Sequence, residues 1–213
     1  MPTTQLPADE PCTDPIMDLT YAIDINSEPA VIWPWIVQVG YHRAGWYIDR
    51  WWDRVEQDFF WPSLVPAKDR GRWQPPAQSI LPEYQGLKEG DIIPDGPPGS
   101  AHYEVIALVP ERLLVLRATT HFKDVAPSFV KDTRFEPRGE FRWAFELERV
   151  YASHTRLTSR WRAWGEPRLY MVLIVKPGIW LIDHIQQPEI LKGIKRRSER
   201  VELPGNVSSR ADE

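Results

Sequence analysis

The chain has 213 residues, 42% of them hydrophobic and 26% charged, which suits one globular domain with a single sizeable core and argues against a disordered chain. A net charge of -4 argues against nucleic acid as the main partner, because phosphate binding wants a basic surface. Cys12 is the single cysteine, so no internal disulfide and no cysteine-built zinc cage can form, and a reducing, cytoplasmic setting is expected.

Residues 1–17 carry Pro2, Pro7, Pro11 and Pro15 among polar residues and read as a flexible arm. The opening Met1-Pro2-Thr3-Thr4-Gln5-Leu6-Pro7 has no basic segment followed by an apolar run, so no secretory signal is expected. Asp18 to Ile25 alternates, with Leu19, Tyr21, Ile23 and Ile25 on one face, and predicts a first strand. Asn26 and Ser27 then offer a cap, and Pro29 fits a first helical turn. Ile32, Trp35, Ile36 and Val39 make a helical stripe, Pro34 should bend or shorten that helix, and Gly40 should stop it. A second short helix is expected over Ile48 to Val55. Many of the 21 prolines fall between Pro62 and Pro98, which predicts a loop-rich middle.

The second half reads as an antiparallel meander. His102 to Val109 and Arg112 to Ala118 flank a tight turn at Pro110-Glu111. Phe141, Trp143, Phe145 and Leu147 alternate with charged and small residues, as do Leu157, Ser159, Trp161 and Ala163. Paired as a hairpin around Tyr151 to His154, they set Trp143 opposite Trp161 and Glu148 opposite Arg156. The apolar face then points inward, and the arginines become exposed cross-strand partners. Leu169 to Ile185 is the most apolar stretch. Lys176, Pro177, Gly178 and Asp183 interrupt it, so it predicts a buried helical region and no stable membrane insertion. From about Gly178 to Arg200 the pattern is helical, with Ile190, Leu191, Ile194 and Val201 as its later stripe and Pro188 as an expected kink or restart. Lys195-Arg196-Arg197 is interrupted by Glu199 and Glu202 and reads as a solvated face. Residues 202–213 read as a flexible tail, leaving residues 18–201 as the domain.

Seven of the eleven tryptophans lie between Trp33 and Trp73, and such a cluster needs a broad core or an apolar hollow to line. Gly45 lets the chain turn and aim Trp46 and Tyr47, the leading pocket-lining candidates beside packing as core. Arg43 can take a carboxylate or phosphate head group, or bridge to Asp49, Asp53 or Glu83. Glu83 can serve as an acid or base if it faces a cavity, or hold a loop through an arginine. Asp91 fits a turn, where its side chain bonds nearby backbone donors. The five histidines form no metal-ligand spacing, and His102, on a predicted strand, is the one to watch as a titrating cavity residue. No metal or cofactor is expected. No serine sits in a nucleophile elbow, and Gly96-Pro97-Pro98-Gly99 lacks the donors of a phosphate loop.

Val31-Ile32-Trp33-Pro34-Trp35-Ile36-Val37-Gln38-Val39-Gly40, followed by Arg43-Ala44-Gly45-Trp46-Tyr47 and Asp49, resembles a bacterial branch of the START/polyketide-cyclase (SRPBCC) superfamily. Ile80-Leu81-Pro82-Glu83-Tyr84-Gln85 with Gly90-Asp91, Thr155-Arg156-Leu157 with Arg160 and Arg162, and Gly193-Ile194-Lys195 with Arg197 and Glu199 agree with it. The resemblance implies an α+β helix-grip fold, a curved antiparallel sheet around a long C-terminal helix with short helices after the first strand, and a deep hydrophobic pocket. The expected partner is a small hydrophobic or aromatic molecule, lipid or polyketide-like, lined by Trp35, Trp46, Tyr47, Tyr103, Trp143 and Trp161 with Arg43 or Glu83 as a polar anchor. Two alternatives stand beside it. One is a cyclase or dehydratase in which Glu83, His102 or Tyr47 moves protons. The other is a structural or interaction protein with a filled, Trp-rich core.

Overall fold

The computed structural model describes residues 14–48, 74–96, 98–99, 101–121, 130–131, 133–134 and 136–200. The helix expected over Ile48 to Val55 and both expected terminal segments lie largely or wholly outside these residues, as do Trp51, Trp52, Trp61 and Trp73 of the tryptophan cluster.

Alternating sequence becomes strand wherever it was expected. Strands β1 (Met17–Ile25), β2 (Ile92–Pro94), β3 (His102–Val109), β4 (Leu113–Ala118), β5 (Arg138–Tyr151) and β6 (His154–Glu166) form one antiparallel sheet in the order β1-β6-β5-β4-β3-β2. Each strand thus neighbours its chain successor except β1, which returns to the far edge against β6. The β3–β4 turn places Glu111 at φ 59, and the Arg112 N–H donates to the Val109 carbonyl at 3.1 Å. The β5–β6 hairpin has the expected register, Trp143 opposite Trp161 and Glu148 opposite Arg156.

Helix α1 (Pro29–Val37) starts with its proline at the first turn and runs through Pro34. Its N-cap is Glu28, not Asn26 or Ser27. Those two are engaged elsewhere: the Ser27 hydroxyl donates to the Ser198 carbonyl at 2.8 Å, and the Asn26 N–H donates to Glu199 Oε1 at 2.7 Å. They fasten the β1–α1 corner to the far end of the chain.

After β6 the chain becomes helical at Arg168, one residue before the apolar stretch that was expected to be helical. A single α-turn (Arg168–Tyr170) passes into a π-helical segment (Met171–Val175) and then α2 (Lys176–Ser198), with Pro188 inside it. Among the described residues no helix is long and apolar enough to cross a membrane. The expected burial of the 169–185 stretch needs correction. Met171, Val175 and Asp183 are buried, but Leu169, Leu173, Ile174, Trp180 and Leu181 are exposed. A helix turning about 100° per residue can offer only one face to a sheet, however apolar its other faces are.

The sheet and α2 enclose one main core in which Ile25, Ile36, Leu116, Phe145, Leu157 and Ile194 are fully buried. Each such side chain contributes about 1.5–3 kcal/mol through removal from water. On the opposite face the arginines are cross-strand partners as expected, here of carboxylates on β1: Arg156 pairs with Asp24, and both Arg160 and Arg162 reach Asp18. One point departs from expectation. Arg160 is buried, not exposed. A second correction concerns the basic run of α2. Arg197 is buried, with its guanidinium donating to the carbonyls of Ala77 and Gly193. The molecule is an α+β helix-grip protein: a curved six-stranded antiparallel sheet holding a long C-terminal helix.

Candidate functional site

The segment after α1 determines what faces the sheet. Gly40, at φ 126, and Gly45, at φ 73, bridge to each other, and the Gly45 N–H donates to the Gly40 carbonyl at 3.0 Å. A β-carbon on Gly40 would sit 2.6 Å from the Ile93 side chain, so glycine is required there for space as well as for backbone angle. This turn delivers Trp46 onto the sheet. Its indole stacks on Trp143 at 5.2 Å with 27° between planes and meets Tyr103 edge-on at 5.6 Å.

Trp143 and Tyr103 belong to a continuous aromatic wall. Tyr103 of β3 lies 5.7 Å from Trp143 and 5.9 Å from Phe141, both of β5, and Phe141 lies 4.9 Å from Trp161 of β6. Four expected lining residues, Trp46, Tyr103, Trp143 and Trp161, therefore come together. The three on strands are buried, whereas Trp46 is only half-buried. Helix α2 packs chiefly against β1 and α1, while Trp46 from the loop lies on Tyr103 and Trp143.

Trp35, Tyr47 and Arg43 form a second group. The Tyr47 hydroxyl donates to the Trp35 carbonyl at 2.8 Å and accepts from Gln38 Nε2 at 3.0 Å. Its ring meets Trp35 edge-on at 6.1 Å and carries the Arg197 guanidinium over its face at 4.4 Å. Burial pushes the phenol well above its usual range. Arg43 donates to the carbonyls of Val39 at 2.9 Å and Val37 at 2.8 Å, capping the end of α1, and lies over the Tyr84 ring at 4.5 Å. Those carbonyls have lost their helical partners, so a guanidinium there satisfies them and opposes the negative end of the helix dipole. Partial burial lowers its pKa.

Glu83 sits exposed in the 3-10 turn Pro82–Tyr84, and no ion pair joins it to Arg43 among the described residues. His102 begins β3 opposite Pro94; its backbone N–H donates to Thr120 Oγ1 at 3.1 Å. Asp91 behaves as its turn predicted, with Oδ2 accepting from the Lys88 N–H at 2.8 Å. Among the described residues no three His, Cys, Asp or Glu side chains converge as a metal site needs.

One polar group was missed from sequence. The Trp143 indole N–H donates to Ser159 Oγ at 2.8 Å, and the Ser159 hydroxyl donates to Gln187 Oε1 at 2.7 Å. The Gln187 amide in turn bonds the Asp183 carboxyl, one helical turn earlier on α2. Asp183 is 5% exposed, and among the described residues its Oδ2 meets no partner. Burial pushes this carboxyl from 3.8 up to about 7, against a smaller downward pull from Gln187. The readable signal was an acid and an amide at i, i+4 inside or beside the most apolar stretch. In sequence it registered only as an interruption of a membrane span.

A scan of protein-family models finds no match to this chain, and neither does a comparison with curated proteins. Solved structures are similar in backbone at low identity. A protein of Mesorhizobium loti is 14% identical over 88% of this chain and 100% of its own, with a TM-score of 0.46. A truncated norcoclaurine synthase of Thalictrum flavum is 11% identical over 87% of this chain and 95% of its own, with a TM-score of 0.45. A Helicobacter pylori protein is 11% identical over 93% and 97%, with a TM-score of 0.44.

Proposed function

We propose that this protein binds a small hydrophobic or aromatic molecule between the sheet and the helix, against the wall formed by Tyr103, Phe141, Trp143 and Trp161. The observation that carries the reading is the seat of Trp46. A half-buried indole from a glycine-framed turn lies stacked on buried Trp143. A flat guest can slide in beside that indole and stack against it and the wall together. Trp35, Tyr47 and Arg43 are the frame that sets this turn, because their polar atoms already bond one another or the end of α1.

The test is native mass spectrometry of protein purified from its own host, followed by tryptophan fluorescence titration with fatty acids and polycyclic phenols. Saturable quenching by at least one apolar class, weakened in a Trp46→Ala variant, is the expected result. Failure of every probe to bind, with solid side-chain packing in a crystal structure, overturns the reading in favour of a filled core.

A further inference from the structure

We propose that Asp183, with Gln187 and Ser159 behind it, forms a polar subsite inside the grip that receives the hydroxyl group of a phenol or alcohol guest. The inference rests on the binding reading above and adds the chemistry of the guest's polar end.

Three observations converge. First, Asp183 is almost wholly buried, yet Oδ2 has no hydrogen-bond partner among the described residues. An orphaned carboxyl oxygen in apolar surroundings is costly, and native interiors rarely retain one without a use. Second, the residue faces the sheet. Gln187, one turn along the same side of α2, reaches Ser159 on β6, and Ser159 holds the indole N–H of Trp143. The polar chain therefore ends on the aromatic wall itself, so a guest lying on that wall has its polar end close to this chain. Third, among the described residues no cation offsets the carboxyl. Tyr21 of β1 is near enough that the Asp183 charge raises its pKa, and the Tyr21 hydroxyl is 3.1 Å from Nδ1 of His184.

The class of guest follows from desolvation. Bringing an ammonium into this place requires stripping water from two charges, a cost that their attraction often fails to repay. A neutral hydroxyl is cheaper to bury and suits both forms of the acid. It donates to the carboxylate, or accepts from the protonated carboxyl. The raised pKa of Asp183 means both forms are present near neutral pH.

The experiment compares β-naphthol, its methyl ether and β-naphthylmethylamine by fluorescence titration at about pH 8.5, where the carboxylate prevails and only the phenol can donate to it, against the wild-type protein and the Asp183→Ala and Asp183→Val variants. Circular dichroism and thermal melting confirm that the variants fold. We expect β-naphthol to bind the wild type at least about tenfold more tightly than its ether, and this preference to fall to about twofold or less in both variants while the ether's affinity holds. A preference that survives in both variants overturns the subsite, as does equal binding of phenol and ether to the wild type, or tightest binding of the amine. In each of these cases the binding reading stands. If none of the three probes binds the wild type, the subsite is overturned, and the binding reading is decided separately by the titrations with fatty acids and polycyclic phenols.

Discussion

Gly193 of α2 lies directly against the backbone of Tyr47: a β-carbon at position 193 would come within 2.5 Å of the Tyr47 Cβ. The missing side chain is what lets the helix press on the turn that carries Trp46. Tyr47 itself adopts φ 62, a backbone angle bulky residues rarely take, so helix contact and turn geometry support each other. Gly193→Ala should therefore destabilise the protein by roughly 1–3 kcal/mol through overpacking, despite the better helix propensity of alanine. Urea denaturation measures this; unchanged or increased stability would remove the close approach from the account.

Tyr47→Phe separates scaffold from chemistry. The hydroxyl lies between the Trp35 carbonyl and Gln38 Nε2, and deleting it leaves both buried groups one partner short. We expect a loss of about 1–3 kcal/mol in stability and little change in ligand affinity of the folded protein. A large affinity loss at unchanged stability would make Tyr47 a contact residue instead.

Trp46→Ala should show the opposite pattern. Its indole is half-buried, and its principal contacts are with the aromatic wall. Affinity for polycyclic phenols should drop by about tenfold or more, while stability falls by only about 1–2 kcal/mol. The two are read separately by titration and thermal melting.

Asp183 makes stability depend on pH in a defined direction. Its folded pKa is raised from 3.8 to about 7, so between those values the unfolded chain holds fewer protons than the native one. Its contribution to stability is complete below the unfolded value and is lost as pH rises through about 7. The loss amounts to about 1.4 kcal/mol for each pKa unit separating the two states. Denaturation of wild type and Asp183→Asn at pH 5 and pH 8 should show the variant gaining on the wild type at the higher pH. A constant difference between the two would mean that the carboxyl keeps its ordinary pKa.

Glu83→Gln should leave both stability and binding within about 0.5 kcal/mol of wild type, since the carboxylate sits exposed in its 3-10 turn. A marked loss of a proton-transfer activity in this variant would favour the cyclase reading over simple binding.

The sheet was legible from sequence because its signal is local. Alternation placed β1, β3 and β4 almost to the residue and the central part of the β5–β6 hairpin, whose strands run about three residues further at most ends; the period of two fixes which face Trp143 and Trp161 share, and the turn near Tyr151 to His154 fixes their register. The glycines at 40 and 45 likewise announced a turn that aims Trp46. The remaining features needed the third dimension. Apolar residues in the first half of α2 do not say by periodicity which face meets the sheet, and the structure leaves Trp180 and Leu181 outside while burying Asp183. The cap of α1 by Arg43, the burial of Arg197 over Tyr47, and the chain from Trp143 through Ser159 and Gln187 to Asp183 all join segments distant in sequence. Sequence determines which residues alternate and where the chain turns, since those follow from each residue's own backbone and its near neighbours. Which polar group is stranded in an apolar interior is decided only when sheet and helix close, because desolvation depends on what packs around a side chain and not on the residues beside it in the chain.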